Sequence, residues 1–223
     1  MKLAHPFLDQ TVPINELKIP VLVIENPSFF SEICFDLRNQ CNGNEGDSVL
    51  SENLEILSFS KKVDMIVDYT ILDINNGKVI KGLYENIEKL SNGEEWYIKT
   101  QKFKVELNNF LENLFYGIDF PLNHDYDFDL SKILKAVECK FDIDQKTFTE
   151  KLIDYFSITR DFCGVKLFVL VNLKSYINEK ELLDIYEYVF YNKIALLLIE
   201  NQDRERFSDV EEIIVIDQDL CEF

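Results

Sequence analysis

Histidine is almost missing from this chain of 223 residues; His5 and His124 are the only two. Neither neighbours a plausible Ser or Cys nucleophile in sequence, so most acid–base and nucleophilic schemes that need an imidazole are excluded. The five cysteines (Cys34, Cys41, Cys139, Cys163, Cys221) are scattered and form no CxxC or Cys/His pairing. A zinc site is therefore not expected, and reduced thiols in a reducing compartment are. Gly and Pro number only 7 and 5, which excludes collagen-like, linker-rich and mostly disordered chains. Long apolar runs are lacking too. The longest, Ile194 to Ile199, is far short of the roughly 20 residues that a membrane-spanning helix needs. The opening MKLAHPFLDQ reaches Pro6 and Asp9 before any apolar stretch, so no signal peptide is expected and a cytoplasmic location is.

Positive charge is also scarce. Lys and Arg total 23 against 41 Asp and Glu, a net charge of −18, which keeps a protein soluble and on average repels nucleic acid and anionic membranes. What is plentiful is core-forming material: 47% hydrophobic residues, including 18 Phe and 10 Tyr. That suffices for one large domain, or for one domain carrying a sizeable insert.

Two segments carry α/β signals. The run Ile19-Pro20-Val21-Leu22-Val23-Ile24 suits a strand buried on both faces. Asn26 then stands at a helix N-cap with Pro27 at the first helical position, and Phe30, Ile33, Cys34 and Leu37 follow at helical spacing. Beyond the loop Asn42–Gly46, Leu54–Phe59 and Met65–Leu72 read as strands. Near the other end, Leu167–Val171 and Ile194–Ile199 are apolar strands flanking a helix that opens with a capping box, Asn178 and Glu181. Strand, helix, strand with both strands apolar predicts a right-handed parallel crossover. One more short strand is expected at Ile213–Ile216.

Between these ends the period becomes helical. Phe103, Leu107, Phe110, Leu111, Leu114 and Phe115 make an amphipathic stripe, and Leu130, Ile133, Leu134 and Val137 make another. Thr147 and Glu150 form a capping box before Leu152, Ile153 and Phe156. The expected organisation is a discontinuous α/β core, residues 1–82 and 163–223, with an inserted helical subdomain at 83–162.

A nucleotide-binding α/β core would carry a Gly-rich loop ending in Gly-Lys-Ser/Thr after its first strand. Here that junction reads Glu25-Asn26-Pro27-Ser28, with no Gly or Lys, and Pro27 removes a backbone donor. The strand that would supply a metal-binding acid runs into Asn172. No nucleotide is expected to bind. Asp144-Gln145-Lys146 matches the acid-x-Lys fragment of metal nucleases, but it precedes a helix and reads better as solvated surface.

Two clusters could bind ligands. Asp125, Asp127 and Asp129 alternate in the stretch His124–Asp129, which could point carboxylates to one side of a divalent metal. The stretch is no EF-hand, because Leu130 stands where Gly is required and Ala136 where the bidentate Glu belongs; a helix-capping acidic turn is the plain alternative. The second cluster is basic: Lys99, Lys102, Lys104, Lys132, Lys135 and Lys140. Such residues are usually just a solvated helix face; they matter if they line one surface, since phosphate binding needs local positive charge.

Several stretches together carry a family resemblance. They include Met1-Lys2-Leu3 with Pro6 and Leu8-Asp9, Val21–Glu25, Phe29-Phe30-Ser31, Tyr69, Asp73-Ile74-Asn75 and Lys135-Ala136-Val137. Phe168–Leu173 with Ser175-Tyr176, and Leu196–Glu200, complete it. The chain resembles the small adaptation proteins of type II-A CRISPR systems, the Csn-two family. That resemblance implies a parallel-sheet core like a degenerate P-loop ATPase with an α-helical insert, and no catalytic residues. It implies a homotetrameric ring that binds Ca²⁺ and takes double-stranded DNA ends through a basic channel. It also implies spacer acquisition as the role, with the CRISPR integrase and effector nuclease as partners and no membrane. By position Asp125 and Asp127 match the family's acidic segment and Asp129 matches less well; the six lysines are selected by clustering alone. A ring acidic outside and basic inside would reconcile −18 with DNA. An acidic protein-binding module or DNA mimic, and less so a metal-dependent nuclease, are the alternatives.

Overall fold

A computed structural model describes residues 1–15, 17–142, 146–204 and 209–223. It divides into two units, Met1–Ile74 with Ile143–Phe223, and Asn75–Asp142. The chain runs β1 (Lys2–Ala4), β2 (Val12–Pro13), β3 (Ile19–Ile24), α1 (Pro27–Cys41), β4 (Val49–Glu52), β5 (Glu55–Ile56), α2 (Phe59–Lys62), β6 (Val63–Ile66). It continues through α3 (Gly77–Ser91), α4 (Tyr97–Phe115), α5 (Leu130–Ala136), α6 (Phe148–Cys163), β7 (Leu167–Val171), α7 (Glu179–Tyr191), β8 (Ala195–Glu200) and β9 (Glu211–Ile216).

The first unit is built on a five-stranded sheet of order β6-β7-β8-β3-β9, in which every pairing is parallel. β3, β7 and all but the first residue of β8 are buried, as uninterrupted apolar runs require when helices cover both faces. Side chains alternate along β3. Leu22 and Ile24 join the core with Phe29, Ile33 and Leu37 of α1, while Ile19, Val21 and Val23 join Leu152 and Phe156 of α6 and Leu182, Ile185 and Val189 of α7. The expected β7–α7–β8 crossover is present, and α7 opens with the full capping box of Asn178 and Glu181.

Three expectations are corrected. The helical unit spans Asn75–Asp142 rather than 83–162. α6 carries the Thr147–Glu150 capping box, but Leu152 and Phe156 are fully buried in the sheet's core. An amphipathic helix declares that it has an apolar face, not which core that face meets. Second, the stretch expected as a strand at Leu54–Phe59 is mostly not one. Asn53 and Leu54 both have positive φ, 52° and 68°, and make a two-residue hairpin turn between β4 and β5; Phe59 already begins α2. Third, the stretch at Met65–Leu72 gives only the end of β6, then a 3₁₀ turn at Tyr69–Ile71 in which Asp68 accepts from the Thr70 amide. An antiparallel sheet of order β2-β1-β4-β5 was not anticipated; its strands, of 2 to 4 residues, are too short to show a period.

The second unit closes on itself at its chain entry and exit. Asn75 Nδ2 donates to the Phe141 carbonyl at 3.1 Å, and the Phe141 amide donates to Asn75 Oδ1 at 2.9 Å. Within it α3 packs on α5, whose first amides, of Leu130 and Ser131, donate to Glu88 of α3 at 3.3 and 2.9 Å. Among the described residues no helix is long and apolar enough to cross a membrane.

Candidate nucleic-acid interface

The β3–α1 junction is where a parallel sheet of this kind would hold phosphate. Asn26 Oδ1 already accepts from the amides of Ser28 and Phe29, both at 3.1 Å, so two of the donors a phosphate would use are taken. Asn26 Nδ2 donates to the Gln218 carbonyl at 3.0 Å, and Gln218 Nε2 donates to the Glu25 carbonyl at 2.7 Å. The C-terminal segment is thus tied across the junction. At the end of β7, Asn172 sits in the left-handed region (φ 54°) and its Oδ1 accepts the Asn201 amide at 3.0 Å. Calorimetry with ATP and Mg²⁺ is accordingly expected to give only heat of dilution, and micromolar binding would refute that reading.

The six candidate lysines do not share one face. On α4 Lys99 and Lys102 lie about 60° apart around the axis, whereas Lys104 points about 160° from Lys102. Lys99 is exposed, with its ammonium 4.4 Å over the Trp96 ring. Lys102 is exposed opposite Glu106 at 3.8 Å. Lys104 is the exception in burial, with only 14% of its side chain accessible, and its Nζ lies 3.0 Å from Asp127 Oδ1. On α5, Lys132 Nζ lies 2.9 Å from Asp125 Oδ2, while Lys135 is exposed beside the groove between α3 and α5. Lys140 is exposed in the segment after α5.

The predicted acidic cluster therefore meets the predicted basic one. Asp125 is held below the ordinary carboxylate range, first by its hydrogen bond to Lys132, and Lys132 is correspondingly raised by that same bond. Asp129 is at the N-cap of α5 but makes no side-chain cap; Glu88 takes that role. Ca²⁺ needs six to eight oxygen ligands. Among the described residues no three His, Cys, Asp or Glu side chains come together to hold a metal, and two of these three aspartates are engaged by lysines. As arranged, Asp125, Asp127 and Asp129 do not fit a calcium site.

Other residues complete the arrangement. Asn108 Nδ2 donates to the Tyr126 carbonyl at 2.9 Å, His124 Nε2 lies 3.1 Å from Asn108 Oδ1, and the Tyr126 hydroxyl donates to Glu112. These went unremarked in the sequence, although Lys104, Asn108 and Glu112 at four-residue spacing were a readable polar stripe. The amphipathic stripe of α4 is itself only partly covered: Phe103, Phe110 and Leu114 are 41%, 59% and 54% exposed. Of the acid-x-Lys fragment, Asp144 and Gln145 lie outside the described residues, and Lys146 pairs with Asp154.

A parallel α/β unit whose β3–α1 junction carries no Gly-rich loop, followed in the same chain by a helical unit that carries all six candidate lysines, defines a mixed α/β protein with a second, helical part. Comparison with known proteins makes this specific. The family model described as CRISPR-associated protein (Cas_Csn2) matches residues 40–220, well over half of the chain, and the chain belongs to that family. A relative from Enterococcus faecalis, named CRISPR-associated protein Csn2, is 22% identical over 149 residues. That alignment covers 62% of this chain and 63% of the relative, so the chain matches somewhat less than two thirds of the relative's length. The crystal structure of Stu0660 of Streptococcus thermophilus superposes with a TM-score of 0.64 at 17% identity, over 97% of this chain and 74% of the other. At that identity the superposition speaks for the fold.

Proposed function

We propose that this chain is a non-enzymatic, ring-forming protein that binds the ends of double-stranded DNA during CRISPR spacer acquisition, alongside the integrase and the effector nuclease. Family membership supplies the CRISPR context. The observation that carries the binding reading is on α4, which presents exposed lysines, Lys99 and Lys102, together with the half-exposed stripe of Phe103, Phe110 and Leu114. Apolar surface of this kind marks an interaction site, and a second copy of the chain, forming a homotetramer, is the partner in this reading. The α/β unit is then a P-loop-like core whose phosphate loop has given way to Glu25-Asn26-Pro27-Ser28. Ca²⁺ dependence belongs to the same proposal, with its ligands drawn from beyond the three aspartates as they stand.

The net charge of −18 favours a second reading, an acidic module that mimics DNA. Mobility shift with linear and closed-circular duplexes of one sequence decides between them. A protein threaded by DNA ends is expected to retard the linear form and not the closed circle. Retardation of neither supports the mimic, and degradation of either supports a nuclease.

A further inference from the structure

Lys104, Asn108, Glu112 and Phe115 stand at i, i+4, i+8 and i+11 and make one stripe along α4. The acidic segment meets this stripe in reverse order. Asp127 is on Lys104 at 3.0 Å, the Tyr126 carbonyl is on Asn108 at 2.9 Å, and the Tyr126 hydroxyl is on Glu112. At the far end the His124 ring lies edge-on to Phe115, centroids 5.4 Å apart, and packs on Tyr126 at 4.2 Å. Asp125 reaches away to Lys132 of α5 at 2.9 Å, and Phe128 is buried with the Lys104 ammonium 5.6 Å from its ring centre. Five residues are thus laid antiparallel on a helix and fastened at each turn.

We infer that residues 124–128 form a strap that occupies Lys104 and Lys132 as an internal substitute for phosphate, so that DNA must displace it to use those two lysines. This rests on the DNA-binding reading above. A carboxylate and a phosphate oxygen compete for the same charge-assisted hydrogen bond from an ammonium group. The tethered carboxylate competes at high effective concentration, but an exposed ion pair is individually weak, so a polyanion can displace it. The geometry shows which partner is covered: Asp127 is 94% exposed, whereas the Lys104 side chain beneath is 14% exposed. Lys99, Lys135 and Lys140 make no ion pair with any described carboxylate, so a first encounter does not wait for the strap. Opening it lets two more lysines reach phosphate and deepens the salt dependence.

The test is Asp125→Asn/Asp127→Asn in the full chain, with two readouts. In acetic anhydride footprinting, the reactivity of Lys104 and Lys132 relative to Lys140 is expected to rise several-fold. In fluorescence anisotropy with a labelled linear duplex, affinity is expected to tighten about tenfold, and the slope of log K against log salt to steepen by about 0.9 per lysine released. Asp119→Asn/Glu94→Gln removes the same charge from exposed positions that touch neither lysine, and is expected to leave the slope unchanged. Equal steepening in that control overturns the strap, as does DNA binding with footprint and slope both unmoved. Failure of every variant, wild type included, to bind DNA retires the DNA-binding reading and the strap's role with it.

Discussion

Lys174→Met is expected to destabilise the protein by about 3–5 kcal/mol, the range for breaking a buried ion pair by removing one partner. Lys174 follows β7, and its Nζ lies 2.9 Å from Glu211 Oε2 at the start of β9; both residues are buried. Glu211 Oε1 also accepts from the Tyr186 hydroxyl at 2.8 Å. The backbone amide of Lys174 donates to Oε1 of a second buried carboxylate, Glu200, at 3.1 Å. Burial pushes the Glu200 carboxyl above its ordinary range, and the Glu211 charge adds to that push. Loss of the Lys174 ammonium would take from Glu211 the cation that faces its Oε2 and would worsen the field at Glu200. In a chain of this size the melting temperature should fall by about 6–20 °C. Lys174→Met/Glu211→Gln should recover much of the loss, because the cost lies in a buried carboxylate deprived of the Lys174 charge rather than in the pair's net attraction. A fall of under about 1 kcal/mol in the single variant would show that Glu211 is satisfied without Lys174.

This pair also shows where sequence reading stops. β3, β7 and β8 were legible because a strand covered on both faces must be apolar throughout, and the α6 and α7 capping boxes because they are local. Lys174 and Glu211 lie 37 positions apart, one just beyond an expected strand and the other just before one. Nothing in either stretch reports that a five-stranded sheet will bring them together. The same limit governed the candidate site. Both charge clusters were visible, but Lys104 and Asp127 are 23 positions apart, and only the fold shows that Asp127 and Asp125 pair with Lys104 and Lys132. In sequence the aspartates therefore stood as candidate metal ligands and the six lysines as candidate phosphate contacts chosen by clustering alone. The helical unit's boundary was missed for a related reason, since the Asn75–Phe141 closure is made by one side chain and two backbone groups with no composition change to announce it.

The pairing changes which lysines a charge-reversal experiment should target. Lys104→Glu or Lys132→Glu would set a carboxylate against Asp127 or Asp125, so that lost affinity could reflect a displaced strap. Lys99, Lys102, Lys135 and Lys140 are exposed, and among the described residues Lys102 alone of them pairs with a carboxylate, Glu106 at 3.8 Å. An exposed pair at that separation contributes little. Lys99→Glu/Lys102→Glu/Lys135→Glu/Lys140→Glu is therefore expected to weaken binding of linear duplex by about 100-fold or more at low salt. The log–log salt slope should also become shallower, by about 0.9 for each phosphate that is no longer neutralised. The oligomer seen by light scattering should be unchanged, because the apolar stripe of Phe103, Phe110 and Leu114 proposed to join copies is untouched. Replacing the same four residues with Gln should fall between wild type and the Glu variant, which separates lost attraction from added repulsion. Undiminished affinity in the Glu variant, with the oligomer intact, would remove these four lysines from the DNA path and leave Lys104 and Lys132, beneath their strap, as the remaining candidates of the six.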